Sequence, residues 1–343
     1  MSTQPPFLPQ EIADLTEICG NCGTVVRPDL WTRHEEPFIP IYPDGTQGEK
    51  GAWFQQTTEQ KCSCGSKISF NLNPKPFEHR VFFYGDDAER QVGPYDQHAY
   101  SFIGATSGPL QDIDRELAAL KVRYVPDLDP KEWRIHATEM MDPKKRILKS
   151  PYKHFGYSDI MDFFHSCADI LRAREPYLWN AHIFGFFKTP SDRKFRGKVL
   201  KEAKITSHVA ILSNLIYVTT SQSLLPVFAM DASKPVTRYP HIEGWSHDSF
   251  LGSKNFLAHA FLAHGQDIPI PSFLPPGSHP CLELADVHAF FAARAAFCRA
   301  LGKAPELPLE KFGKFTYLAM IDGNRVEPAG QTGIADRYIP KIS

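Results

Sequence analysis

Two kinds of residue in this chain are spaced for chemistry. The first is cysteine. Cys19-Gly-Asn-Cys22-Gly23 and Cys62-Ser-Cys64-Gly65 gather four thiols into two tight pairs. Each pair ends on a glycine, which lets the backbone turn sharply and aim its amides at the sulfurs. Four thiolates so arranged suit a tetrahedral zinc ion, and a site closed by four protein ligands is structural because no position is left for water or substrate. His34, between the pairs, is a spare ligand. The competing reading is a set of ordinary reduced cysteines. A redox role has less support, since the first pair does not sit where a strand runs into a helix.

The second kind is a group of carboxylates set against apolar segments. Val81-Phe82-Phe83-Tyr84-Gly85-Asp86-Asp87 reads as a buried strand running into two acids. A period of two puts Phe82, Tyr84 and Asp86 on one face. A carboxylate on an aromatic face is costly unless something pairs with it. The plainer alternative is that an arginine or a backbone amide satisfies Asp86, or that the two acids open a turn. Far along the chain, a nearly apolar helix is expected over 279–301, with Pro280 in its first turn and Gly302 and Pro305 after its end. It carries Glu283 and Asp286 one turn apart, and the helical neighbours of Asp286 (Leu282, Glu283, Ala289 and Phe290) include no base. Two acids sharing a turn repel; a divalent cation resolves this, and so does a tertiary salt bridge or the helix dipole. Asp231 ends a strand expected over 224–230, which Pro226 weakens or places at an edge, and Glu139 follows a short strand candidate, Trp133–His136.

Tyr84-Gly85-Asp86-Asp87 and Leu282-Glu283-Leu284-Ala285-Asp286 resemble the two end motifs of the domain of unknown function 3800 family. That family has a first-strand Tyr-x-Asp-Glu-Ser-Gly type motif and a late Leu-x-x-Ala-Asp helix. The resemblance spans about residues 80–300, and Ala88-Glu89 stands where Ser-Gly is usual. It implies a ribonuclease-H-like fold, a mixed β-sheet flanked by helices, in which acids from separate elements converge on divalent metals. Position by position, it implies Asp86 as the bridging ligand and Asp286 as the late-helix ligand. Asp231 and Glu139 take the later-strand and middle slots, with Glu283 as an understudy. The implied chemistry is phosphodiester hydrolysis with two Mg²⁺ or Mn²⁺ ions.

The elements that must position these groups set the organisation. With 343 residues, 42% of them hydrophobic, the chain can bury a large core as one domain or two. Three units are expected: 1–77, a zinc-ribbon-like β unit; 78–310, the ribonuclease-H-like domain; and 311–343, a C-terminal extension. In the middle unit, 81–84 and 98–105 form a hairpin with a longish loop holding Gly93-Pro94, and 112–121 forms a helix. Val122–Val125 is a short strand candidate. Ser158 caps a helix to about Arg174, Leu178–Phe187 is a strand, and Ile205, Val209, Leu212 and Ile216 mark another helix. Residues 232–278 read as loop, with His241, His247, His259 and His264. Cys167, Cys281 and Cys298 sit on apolar helices as core.

A net charge of −1 advertises neither nucleic acid nor membrane, so a polyanion must be met by a local patch or a metal. Arg193, Lys194, Arg196, Lys198, Lys201 and Lys204, with Phe186, Phe187 and Phe195 nearby, are the candidate nucleic-acid contact; the alternative is a solvated helix face. The polar opening Met-Ser-Thr-Gln-Pro-Pro, the absence of a long apolar run and the unpaired style of the cysteines predict a cytoplasmic protein with no membrane contact. Dinucleotide, P-loop and nucleophile-elbow motifs are absent, and no His-Glu-x-x-His helix supports a zinc hydrolase. The expected function is a metal-dependent nuclease, with a non-catalytic nucleic-acid- or protein-binding module on a structural zinc ribbon as the alternative. The zinc reading is checked by metal analysis: a Cys19→Ser/Cys62→Ser protein is expected to lose its zinc, and full retention refutes the site.

Overall fold

The computed structural model describes residues 16–27, 31–38, 51–56, 60–68, 75–149, 151–188, 193–232, 264–321 and 325–340, with a few positions between 249 and 263. The front of the chain forms three two-stranded antiparallel ribbons: β1 (Glu17–Ile18) with β2 (Val25–Val26), β3 (Trp31–Phe38) with β4 (Gly51–Gln56), and β5 (Gln60–Lys61) with β6 (Lys67–Ile68). Short β pairs thus stand where a small β unit is expected. The side chain of His34 and residues Ile39 and Ile41 lie outside the described set.

From residue 79 onward the chain builds one mixed seven-stranded sheet. Its strands are β7 (His79–Val92), β8 (Tyr95–Ala105), β9 (Ala181–Lys188), β10 (Leu224–Asp231), β11 (Ser272–Leu274), β12 (Thr316–Ile321) and β13 (Arg325–Gly330), in the spatial order β11-β10-β7-β8-β9-β12-β13. β8 runs antiparallel to both β7 and β9, and β13 antiparallel to β12; β10 is parallel to β7, β11 to β10, and β12 to β9. The stretch expected as an extension thus supplies β12 and β13. Central β8 is buried along nearly its whole length because both faces of the sheet are covered.

Among the described residues, the helices with defined ends are α1 (Ser107–Tyr124), α2 (Ala137–Met141), α3 (Pro143–Lys149), α4 (Tyr157–Arg172), α5 (Arg193–Thr220) and α6 (Pro280–Ala300). Alternation along β7 divides its side chains between two cores. Val81 and Phe83 pack with Ile211, Leu212, Leu215 and Ile216 of α5. Phe82, Tyr84 and Ala88 pack in the other core with α6, α1 and α4. Helix α6 is buried nearly all round, as its composition demands. Cys167 and Cys281 are core residues; Cys298 is half-buried.

Several expectations change. The β7–β8 hairpin has a two-residue turn instead of a long loop: Gly93 at φ +57° and Pro94 fit a type II′ turn, where the first position needs a positive φ. Pairing therefore continues from Val92↔Tyr95 down the hairpin, and Asp86 and Asp87 lie inside a strand and do not end it. Val122–Val125 is not a strand, because α1 runs on through Tyr124. Trp133–His136 is irregular chain leading into α2, so Glu139 stands in a helix's first turn. Strand β11 covers only Ala229–Asp231, so Pro226 lies where β10 has a single strand neighbour and its missing N–H breaks no ladder on that side. His241, His247 and His259 lie outside the described residues. His264 is anchored, with Nδ1 2.6 Å from the Lys75 carbonyl and Nε2 3.0 Å from that of Thr220.

Gly85 is fixed by close packing. A Cβ there would stand 2.4 Å from Phe102 Cε1 and 2.8 Å from Tyr100 Cε1, both on buried rings. Gly85→Ala is expected to destabilise the fold by about 1–3 kcal/mol, read as a lower midpoint in urea or heat.

Candidate metal centres

The cysteine site is built from two similar turns. In the first, the Cys19 N–H donates to the Thr24 carbonyl and the Gly23 N–H to that of Cys19; in the second, the Cys62 N–H donates to Ser66 and the Gly65 N–H to Cys62. Gly23 and Gly65 have φ of +71° and +86°, a conformation glycine adopts without strain. The turns face each other so that the four Sγ atoms lie within 4.8 Å of one another. Cys22 Sγ is 3.4 Å from Cys62 Sγ, and Cys19 Sγ is 3.6 Å from Cys64 Sγ. A tetrahedral ion with zinc–sulfur bonds of about 2.3 Å needs sulfurs roughly 3.8 Å apart, so the donor set fits zinc with little adjustment. The Ser66 hydroxyl and amide beside the Cys64 sulfur pull that thiol down to about 5, which favours the thiolate a metal requires. All seven cysteines are free of disulfides.

The acidic site lies on the α6 face of the sheet. Register brings its parts together: Met230 of β10 pairs with Gly85 of β7, so Asp231 comes beside Asp86. Helix α6 lies over β7 and is pinned to it by side chains. His279, the residue before α6, stacks on Tyr84 with ring centres 3.7 Å apart, and Arg90 lies over Phe290 and Phe297. This seating delivers Asp286 to the same place. Asp86, Asp231 and Asp286 line one cavity of about 230 Å³, with Arg134, Ile135, His136, Gly277 and Glu283 among its other walls.

Each acid has a distinct setting. Asp86 Oδ1 accepts the Asp87 N–H at 2.7 Å, yet burial, reinforced by the charges of Asp286, Asp87 and Asp231, drives its pKa well above the usual carboxylate range. Asp286 Oδ2 accepts the Ala137 N–H at 2.7 Å and lies 3.6 Å from His136 Nδ1. That carboxylate raises the His136 pKa against the effect of burial. Among the described residues, neither Asp86 nor Asp286 has a lysine or arginine ion-pair partner.

The remaining candidates divide. Glu139 is not in the cavity wall: it stands beside it on α2, 3.4 Å from the Tyr152 hydroxyl and 3.7 Å from Arg134. Glu283 touches the cavity, but its Oε1 is 2.8 Å from Lys121 Nζ and 3.3 Å from the Ile135 amide. This is the tertiary salt bridge weighed against a metal role. Lys121 also donates to the carbonyls of Pro130 and Trp133, so both charges are satisfied. Burial nevertheless lifts Glu283 to about 7, against the pull of the ammonium. Arg134 and His136 are wall residues not singled out as such from the sequence, although His136 stands three positions before Glu139. No further group of three or more histidine, cysteine or acidic side chains among the described residues is gathered as the four cysteines are.

Asp87 points the other way, toward α5. Burial would raise it, but His98 and Lys204 hold it down to about 2; His98 Nε2 is 3.7 Å away and Lys204 Nζ 3.4 Å. Lys204 also pairs with Glu89, and Arg196 with Asp96. Two members of the basic stretch therefore fasten α5 to the sheet, across it from the cavity. Lys198 is 3.8 Å from Glu202 of the next turn. The side chains of Arg193, Lys194 and Phe195 lie outside the described set.

Among the described residues, no helix is long and apolar enough to cross a membrane. No family model matches the chain, and no curated protein matches it. The Lys121–Glu283 pair is open to a direct test. Lys121→Met strands a buried carboxylate beside Asp286 and is expected to cost about 3–5 kcal/mol. Lys121→Met/Glu283→Leu is expected to recover most of that loss in urea unfolding.

Proposed function

We propose that this protein is a divalent-metal-dependent nuclease whose acid site lies in the cavity between β7, β10 and α6, on a ribonuclease-H-like domain carrying a structural zinc ribbon. The observation that carries the reading is the company of Asp86. A half-buried carboxylate faces two others in one cavity, and a divalent cation would relieve their mutual repulsion. The donor set is all oxygen, which suits Mg²⁺ or Mn²⁺ held by few carboxylates and completed by substrate phosphate. The order of the acids along the chain, first strand, later strand and late helix, agrees with the resemblance to the domain of unknown function 3800 family.

In this reading Asp86, Asp231 and Asp286 would hold the ions. The ions would lower the pKa of the attacking water and stabilise the leaving oxygen. Glu139 orients through Tyr152 and Arg134 at the border of the site, and His136 balances the charge of Asp286 when the cation is away. Glu283 is a packing partner of Lys121 and no ligand. Lys198, Lys201 and the start of α5 remain a proposed outer contact for nucleic acid. The cytoplasm is the setting in which the four thiols stay reduced for zinc.

The binding-module alternative is favoured by one observation, that the carboxylates are not drawn together as tightly as the cysteines. Calorimetry of Mn²⁺ binding to zinc-replete protein, with and without a single-stranded oligonucleotide, separates the two. Wild-type protein is expected to bind Mn²⁺ and Asp86→Asn to lose it; no binding by the wild type in either condition overturns the nuclease reading. A stability measurement supplies the matching sign. The folded-state pKa of Asp86 is raised, so its contribution to stability is present at low pH and is lost as pH rises through that folded value. In metal-free buffer near neutrality, Asp86→Asn is therefore expected to melt higher than the wild type, and Mn²⁺ is expected to raise the wild-type midpoint alone.

A further inference from the structure

A row of polar side chains crosses the sheet beside the acid site. Asp231 stands next to Asp86, Asp86 pairs with Ser101 of β8, Ser101 pairs with His182 of β9, and His182 pairs with Tyr317 of β12. Beyond Asp86 the row is dry: Ser101, His182 and Tyr317 have no exposed surface, and neither has His288, which reaches down from α6. The Ser101 hydroxyl lies 2.7 Å from His182 Nδ1 and 2.8 Å from His288 Nδ1, while His288 Nε2 lies 3.1 Å from the Tyr317 hydroxyl. Phe315 stacks on the His288 ring at 3.6 Å, nearly parallel.

The proton count makes this arrangement specific. One hydroxyl hydrogen lies between two ring nitrogens, so Ser101 donates to one imidazole and accepts from the other. Whichever way the chain is polarised, it ends at His182 Nε2, which is buried without a hydrogen-bond partner among the described residues. Such a network is worth most when every member stays in place, because a half-satisfied buried polar group is costly. His288 is two residues from Asp286 on α6, and Ser101 is the cross-strand neighbour of Asp86. An apolar helix can slide on an apolar sheet with little change in buried area; a serine clamped between two imidazoles cannot follow it.

We infer that Ser101 is a positioning residue for the acid site: by bridging His288 to His182 it fixes the seat of α6 on the sheet, and so the placement of Asp286 opposite Asp86. This inference rests on the acid-site reading above. Its test joins two measurements on the full-length, zinc-loaded protein. In Ser101→Ala, hydrogen exchange of the α6 amides is expected to quicken while that of the α5 amides is unchanged, and Mn²⁺ affinity is expected to fall about ten- to a hundredfold. Ser101→Thr, which keeps the hydroxyl on a strand-favouring side chain, is expected to restore both. Leu212→Ala, in the opposite core, is expected to lower stability without altering Mn²⁺ affinity. Should Ser101→Ala not fold, Tyr317→Phe removes only the outer hydroxyl and is expected to weaken Mn²⁺ binding in the same direction by less. Wild-type binding with unchanged affinity in the folded serine or tyrosine variant overturns the positioning role alone. Absent Mn²⁺ binding by the wild type overturns the acid-site reading, and this role with it.

Discussion

Helix α6 must be apolar enough to be buried and still carry an acid to a fixed point, and the rest of the domain is arranged around that constraint. Dispersion and burial hold such a helix firmly but specify its position poorly, since they are non-directional. Direction comes from a few polar or aromatic contacts set into the apolar face. Tyr84 and His279 fix the helix start, Lys121 and Glu283 tie its first turns to α1, and Arg90 lies over Phe290 and Phe297 farther on. The Ser101–His288 contact lies between them. Each is a short-range directional interaction, and the Lys121–Glu283 and Ser101–His288 contacts lie in a dry setting, where geometry is enforced most strongly.

The two faces of β7 treat neighbouring carboxylates in opposite ways. Asp87 meets a histidine and a lysine and is held as an anion. Asp86, one residue earlier, meets other carboxylates and is pushed toward its neutral form. The same side chain thus serves as a fastening on one face and as a source of repulsion on the other. Structural ion pairs seek to cancel charge inside the protein alone; a ligand site leaves the balance to be completed from outside.

Much of this arrangement was legible in the sequence. The pairing of Tyr84-Gly85-Asp86 with the helix motif ending at Asp286 brought together two positions distant in the chain that share one cavity. The cysteine turns were legible because the glycine after each pair has a direct conformational cause. Glu139 was harder: Trp133–His136 has strand-like composition, but the Lys121–Glu283 pair and the backbone contacts around it hold that stretch irregular until α2 begins. The hairpin itself is legible, but the length of its strands is not, because Gly93-Pro94 suits a tight II′ turn as well as a loop, and only cross-strand pairing decides. Ser101, His182 and His288 gave no local signal at all. Their elements carry other polar residues as well, so nothing local marks them, and their meeting depends on the register of three strands and a helix.

The tight turn at Gly93-Pro94 also bears on the order in which the domain assembles. β7 and β8 are adjacent in the chain, so their pairing closes a short loop, whereas β10, β12 and α6 must return from far along the sequence. The contact of Asp86 with Ser101 is therefore short-range in sequence, whereas those with Asp231 and Asp286 close long loops. Crowding of the carboxylates thus depends on the contacts most distant in the chain. In the proposed metal-bound state, relief of that crowding would slow the opening of the finished domain more than it would speed its formation. A cation in the proposed site would then act as a kinetic latch on the native state.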